Sequence, residues 1–176
     1  MFNAIEVILI CLVAQAAVTD LAMRKIPNVL ILSGLLLALI SHLLGGPHWT
    51  PVSQWLAGSL AGFFLFLPLY LLRGMAAGDV KLMAMVGAFS GPLAALQIAV
   101  LSYLIGGLMA LLMLLLNGRW RDSGRNLAQI CTPLLLRLLG MPLLPVPLAP
   151  SASVGGIPYG LAIALGTVGV VAWGHR

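Results

Sequence analysis

The sequence predicts an all-α, polytopic membrane protein: about six transmembrane helices, with a Pro/Leu-rich cytoplasmic or interfacial segment before the last one. Three observations predict this fold class. The mean hydropathy is +1.11. Hydrophobic residues make up 61% of the chain and charged residues only 7%, where a soluble domain carries roughly 25% charged residues. Apolar runs recur at close to the ~20 residues that cross a bilayer as a helix. A globule of 176 residues cannot bury so much apolar surface away from water, so the surrounding solvent is lipid. Residues 1–176 read as a single transmembrane domain.

The first span is expected from about Phe2 to Thr19. Ala14-Gln15-Ala16 resembles a signal-peptide cleavage site. The flanks are wrong for one, however: Glu6 lies before the apolar run, and the positive charges, Arg24 and Lys25, lie after it. The segment therefore reads as a retained helix. A second span is expected from about Val29 to Leu44, ended by Gly45-Gly46-Pro47, with His48-Trp49 as an interfacial anchor. A third runs from about Ser53 to Leu72. The stretch from Val80 to Leu116 would measure about 55 Å as one helix, against a hydrocarbon core of about 30 Å. It is expected to fold into two spans turning at Gly91-Pro92. Between Asn117 and Gly155, Pro133, Pro142, Pro145, Pro147 and Pro150 forbid a regular span. The last helix is expected from about Ile157 to Trp173.

Charge sets the orientation. Arg24-Lys25, Arg73 with Lys81, and the arginines from Arg119 to Arg137 belong on the cytoplasmic side, and the loop from Gly45 to Pro51 has no Lys or Arg. Six spans with both termini outside satisfy these assignments, with Arg176 the one dissenter. Four spans remain the alternative, with Val80 to Leu116 as a re-entrant hairpin. The net charge of +5 is spread over loop edges rather than gathered in a patch, so no nucleic-acid partner is expected. Cys11 and Cys131 form no CxxC pair, so no metal is expected, and both read as small apolar packing residues.

The four acidic residues are Glu6, Asp20, Asp79 and Asp122. Asp122 sits among Arg119, Arg121 and Arg125, and a solvated ion pair accounts for it. Glu6 lies near the outer end of the first helix, an interfacial position. Asp20 closes the first helix and Asp79 opens the fourth, so the topology brings both to one membrane depth. Intramembrane acids mark functional sites. Each also has a purely structural alternative: an i+4 ion pair with Arg24 for Asp20, and a helix N-cap after Gly78 for Asp79. His42, His48 and His175 fall away from this level, so no Ser/His or Cys/His chemistry is available. A carboxylate pair sharing one proton remains: one member activates water, and the other donates to the carbonyl of a scissile peptide. Gly78 would let a peptide backbone approach Asp79 closely. Lys81 would either tune Asp79 or snorkel to the surface as a topology anchor.

At these residues the chain resembles a known family. Gly74 to Ala84, GMAAGDVKLMA in one-letter code, is similar to the signature of type IV prepilin peptidases, the GxGD-type membrane aspartyl proteases. So is Asp20 with the basic and Ile-Pro-Asn residues after it, Arg24-Lys25-Ile26-Pro27-Asn28, and so is the closing stretch Ile157-Pro158-Tyr159-Gly160. The pattern departs at Ala76, where the family has glycine; the extra methyl would narrow the cleft. The resemblance implies Asp20 and Asp79 as catalytic residues, supported by Gly78, Lys81 and Ala76, with no cofactor and no metal. It implies prepilin or pseudopilin substrates cleaved at the cytoplasmic face of the bacterial inner membrane. Long members carry an insertion with paired CxxC motifs, linked to N-methylation, between their first two helices. This chain has no such insertion and is similar to the short peptidases of tight-adherence (Flp) pili, which implies no methylation. A non-catalytic assembly component of a pilus or secretion system and a proton-coupled transport subunit remain the other readings. The oligomeric state is left open.

Overall fold

The computed structural model describes residues 3–45, 50–72, 74–117 and 158–175. The expectations for His48-Trp49, Arg73, Asp122 and its arginines, Cys131, the proline-rich segment and Arg176 lie outside them. Five helices are present among the described residues: α1 (Ala4–Met23), α2 (Asn28–Gly45), α3 (Thr50–Leu71), α4 (Ala77–Asn117) and α5 (Tyr159–Gly174). No strand occurs among the described residues. The chain divides into one compact unit, formed by Met1–Gly107 with Ile157–Arg176, and a second, Leu108–Gly156, described only where α4 runs on to Asn117. Three segments are long and apolar enough to cross a membrane, Ala4–Met23, Val52–Leu71 and Ala77–Met113, and the shorter apolar helices are Asn28–Leu44 and Tyr159–Gly174. The protein is a polytopic, all-helical membrane protein.

The long apolar stretch breaks where its sequence says it must. Gly91 lies inside α4 with φ 79° and ψ 173°, a conformation that side-chain-bearing residues rarely adopt. Pro92 follows, and its fixed φ suits the first position of a new helix. The chain reverses there. A Cβ built on Gly87 would sit 3.4 Å from the Ala95 Cβ, whereas eight residues along a straight helix are about 12 Å apart. Counting the two arms of α4 (77–90 and 92–117) separately gives six helical segments, as predicted.

The first arm of α4 is the centre of the bundle. Residues 82 to 89 are all buried, the pattern of a helix surrounded on every side by others. Since lipid is as apolar as a leucine side chain, small residues and close backbone packing hold such helices together. Gly58 and Gly62 on α3 provide this contact: a Cβ on Gly58 would lie 2.1 Å from the Gly87 carbonyl oxygen, and one on Gly62 2.2 Å from that of Met83. Polar side chains reach across to backbone carbonyls. Trp55 Nε1 donates to Leu35 at 3.0 Å, and the Tyr103 hydroxyl donates to Leu65 while its ring stacks on Phe66 at 4.8 Å. His42 Nε2 meets the Ala88 carbonyl at 2.9 Å and must carry the proton there, since a carbonyl only accepts. Cys11, expected as a packing residue, is instead an exposed free thiol on α1.

α5 packs on α1 through a face of small residues. Its buried positions include Gly160, Ala162, Ala164, Gly166 and Thr167, and Gly160 meets Asp20 on α1. At Gly166 a Cβ would lie 2.5 Å from the Ser102 hydroxyl, so α5 also closes on the second arm of α4.

Candidate active site

Asp20 and Asp79 come from helices far apart in sequence, and the turn after α1 brings them together. Arg24 caps α1 in the left-handed conformation, φ 52° and ψ 34°, and its N–H donates to the Asp20 carbonyl at 2.8 Å. The next residues turn straight into α2. This turn lies against the start of α4: Ile26 is the residue a Cβ on Gly78 would meet, at 3.5 Å, and Lys81 Nζ donates to Asn28 Oδ1 at 3.1 Å. Asp20 and Asp79 thus share one end of the bundle, near enough for the charge of Asp20 to reach Asp79. Both are buried, at 8% and 5% exposure.

Each carboxylate is held by one backbone N–H. Gly160 N–H, in the first turn of α5, donates to Asp20 Oδ2 at 2.8 Å. Ala76 N–H donates to Asp79 Oδ2 at 3.1 Å, while Asp79 N–H donates back to the Ala76 carbonyl at 3.1 Å. The positions along the helices differ from those the sequence predicts. Asp20 does not end α1; it lies one turn inside, because Arg24 rather than Thr19 is the cap. Asp79 is not an N-cap. It is the third residue of α4 and reaches back to the residue before the helix, the geometry of the acid in a capping box.

The remaining predicted residues fall as follows. Gly78 is half-buried against Ile26. Ala76 is exposed and contributes its backbone. Lys81 is exposed, with its ammonium on Asn28. Glu6 lies at the opposite end of α1, where it bonds His175 and the Asn3 N–H, both at 2.8 Å. A cavity of about 1030 Å³ opens at that far end, lined by Glu6, Gln97, Leu101 and Trp173 among others. It does not reach the aspartates.

A family model for the type IV leader peptidases matches residues 7–111, more than half of the chain and a stretch that contains both aspartates. The chain belongs to the type IV leader peptidase family. Membership implies a peptidase in the membrane and prepilins as its class of substrate. No curated protein and no solved structure matches the chain. In this leader peptidase relative, α5 lies beyond the matched stretch, yet its first turn lies against Asp20. Gly160 holds Asp20, and Tyr159 lies within electrostatic reach of Asp79. The sequence flags Ile157 to Gly160 as a motif but assigns neither Tyr159 nor Gly160 a place at the site. A backbone N–H leaves no mark in a sequence, and the contact between residues 20 and 160 exists only once α5 has packed on α1.

Proposed function

We propose that the chain is an aspartic-type endopeptidase that removes the leader from type IV prepilins or pseudopilins of the Flp type, with Asp20 and Asp79 as its catalytic pair. One observation carries this reading: two buried carboxylates from distant helices lie at one end of the bundle, near enough for the charge of Asp20 to reach Asp79. The chain has only four acidic residues in all, so this pairing is not incidental. Two carboxylates so placed share a single proton. The ionised member takes a proton from water as the water attacks the scissile carbonyl. The protonated member donates its proton to the carbonyl oxygen, which gives a neutral tetrahedral gem-diol. Collapse then breaks the C–N bond: the member that took the water proton gives it to the leaving amine, and the other takes a proton back from a gem-diol hydroxyl as the carbonyl reforms, so the pair again holds one shared proton.

The site lies at the end of the bundle that carries Arg24, Lys25 and Lys81, which the positive-inside rule assigns to the cytoplasm. A basic leader would be presented there, while the substrate's apolar helix stays in the inner membrane. No methyl transfer is expected. α2 begins at Asn28, directly after α1 and its short turn, and the sequence holds no CxxC. Asp20 and Asp79 lie at the same end of the bundle rather than strung through the bilayer, which counts against a proton path.

Co-expression with an Flp-type prepilin tests the proposal. A leader-sized mobility shift should occur with the natural chain and be lost in Asp20→Asn and in Asp79→Asn separately. Normal processing by either variant would end the assignment of the pair.

A further inference from the structure

We infer that Gly160 is a positioning residue for Asp20: its backbone N–H fixes one carboxylate oxygen, Oδ2, so that the other is presented to water in a single orientation. The inference rests on the proposed peptidase reading and adds to it a residue outside the two acidic motifs.

Three observations carry it. The first is the bond itself, 2.8 Å from an N–H that no carbonyl of α5 can use, because the first N–H groups of any helix lack intrahelical partners. α5 starts at Tyr159, after Pro158 as its N-cap, so Gly160 stands in that opening turn. The positive end of the helix dipole therefore points at Asp20, which favours a negative charge there. The second is steric. A Cβ at position 160 would lie 2.8 Å from Asp20 Oδ2, 2.9 Å from its Cβ and 3.1 Å from its Cγ. Only glycine lets the backbone come this close; any side chain would push the carboxylate away. The third is the route by which α5 arrives. Its packing on α1 and, through Gly166, on Ser102 of α4 sets the depth at which its first turn meets Asp20. Asp79 gets its own donor from Ala76, three residues away in the chain. Asp20 has to receive one from a helix 140 residues further on. A fixed carboxylate avoids reorganisation when the water attacks, and small displacements of such groups cost large factors in rate.

The test removes the N–H without adding an atom. Cell-free synthesis into lipid vesicles with glycolic acid in place of glycine at position 160 turns that amide into an ester. Prepilin leader cleavage is then measured, together with the infrared carboxylate band of Asp20, identified as the band missing in Asp20→Asn. The expected result is a fall in kcat of about tenfold or more with KM within twofold, and a shifted Asp20 band. Gly160→Ala keeps the N–H but crowds the carboxylate, and is expected to shift the band and lower kcat as well. The same ester at Gly169, further along α5, controls for a weakened helix and should leave the Asp20 band in place. Wild-type kcat in the 160 ester, an unmoved band, or an equal loss in the 169 ester would each overturn the inference. If Asp20→Asn itself cleaves normally, the peptidase assignment of Asp20 falls instead, and the infrared band still reports whether Gly160 holds the carboxylate.

Discussion

α1 carries one acid near each end, and α5 holds both. At one end Glu6 bonds His175, with the two side chains 29% and 30% exposed, and also accepts the Asn3 N–H. At the other end Asp20 accepts the Gly160 N–H in a buried site. The two arrangements look alike as hydrogen-bond diagrams and differ in company. Glu6 faces an imidazole that can carry a compensating charge. Asp20 faces a second carboxylate, Asp79. A carboxylate with a hydrogen-bond donor and water beside it is settled, and an exposed tie of this kind contributes about 0–1 kcal/mol. Two buried carboxylates held close cannot both be charged comfortably, and the proposed mechanism has them share one proton. The same residue chemistry on one helix thus yields a surface tie at one end and, on the proposed reading, a reactive pair at the other.

The largest expected effect separates these two ends. Asp20→Asn and Asp79→Asn should each lower leader cleavage by about 10²- to 10⁴-fold, since each removes one half of the acid–base work. The double variant should be no worse than the worse single one, because the pair acts as a unit. Rates on a purified prepilin in detergent or vesicles check both statements. Additive losses would break the comparison, for the two acids would then be working independently.

Gly78→Ala sharpens the same point. A Cβ there would sit 3.5 Å from the Ile26 Cβ, an ordinary contact, so the resting protein should accommodate alanine without loss of thermal stability. A substrate backbone lying against Asp79 would meet that methyl. Cleavage is therefore expected to fall about 10- to 10²-fold with the melting temperature unchanged. If activity and stability fall together, Gly78 serves the packing of the turn and not the substrate.

Gly58→Ala lies between the two ends and should affect neither specifically. Its Cβ would stand 2.1 Å from the Gly87 carbonyl oxygen and 2.9 Å from the Gly91 Cα, both backbone atoms that cannot rotate away. α3 and α4 would have to separate, at a cost of about 1–3 kcal/mol. The measurement is thermal unfolding of the detergent-solubilised protein. The surviving folded fraction should cleave at the wild-type rate. Glu6→Gln, at the far end, should leave cleavage within about twofold and lower stability by no more than an exposed ion pair provides.

What could be read from the sequence follows from where information is local. The break in α4 was legible because Gly91-Pro92 is a local conflict with helix geometry and the apolar run is too long for one crossing. The pairing of Asp20 with Asp79 was legible because few charges survive in such a chain, and the topology puts both at one depth. The helix ends were not. Thr19 looks like a terminus, but its hydroxyl folds back onto the Gln15 and Ala16 carbonyls, and α1 continues to a left-handed cap at Arg24. The extra turn moves Asp20 from the helix end into a packed interface. The donor from Gly160 was invisible for a different reason: it is a main-chain group, and what selects it is the packing of α5 on α1. The difference between the acids at the two ends of α1 was legible only in part, since nothing local pairs Glu6 with His175 across the length of the chain.

The smallest effect is expected at the one residue that departs from the signature. Where the GxGD pattern that the sequence resembles has glycine, this chain has Ala76, and a methyl that narrowed the cleft would make Ala76→Gly a gain in activity. Three features argue otherwise. Ala76 is exposed, so no packed neighbour is displaced by its methyl. Among the described residues, only Arg24 has a positive φ without being glycine, so position 76 needs no glycine-specific backbone. Its contacts with Asp79 run through its N–H and carbonyl, which alanine and glycine supply equally. Ala76→Gly should therefore keep cleavage within about twofold, with a slight loss of stability as the freer residue enters the unfolded chain. A several-fold gain in kcat/KM for Ala76→Gly would mean that substrate passes directly over this methyl. The approach to Asp79 would then be set by position 76 as well as by Gly78.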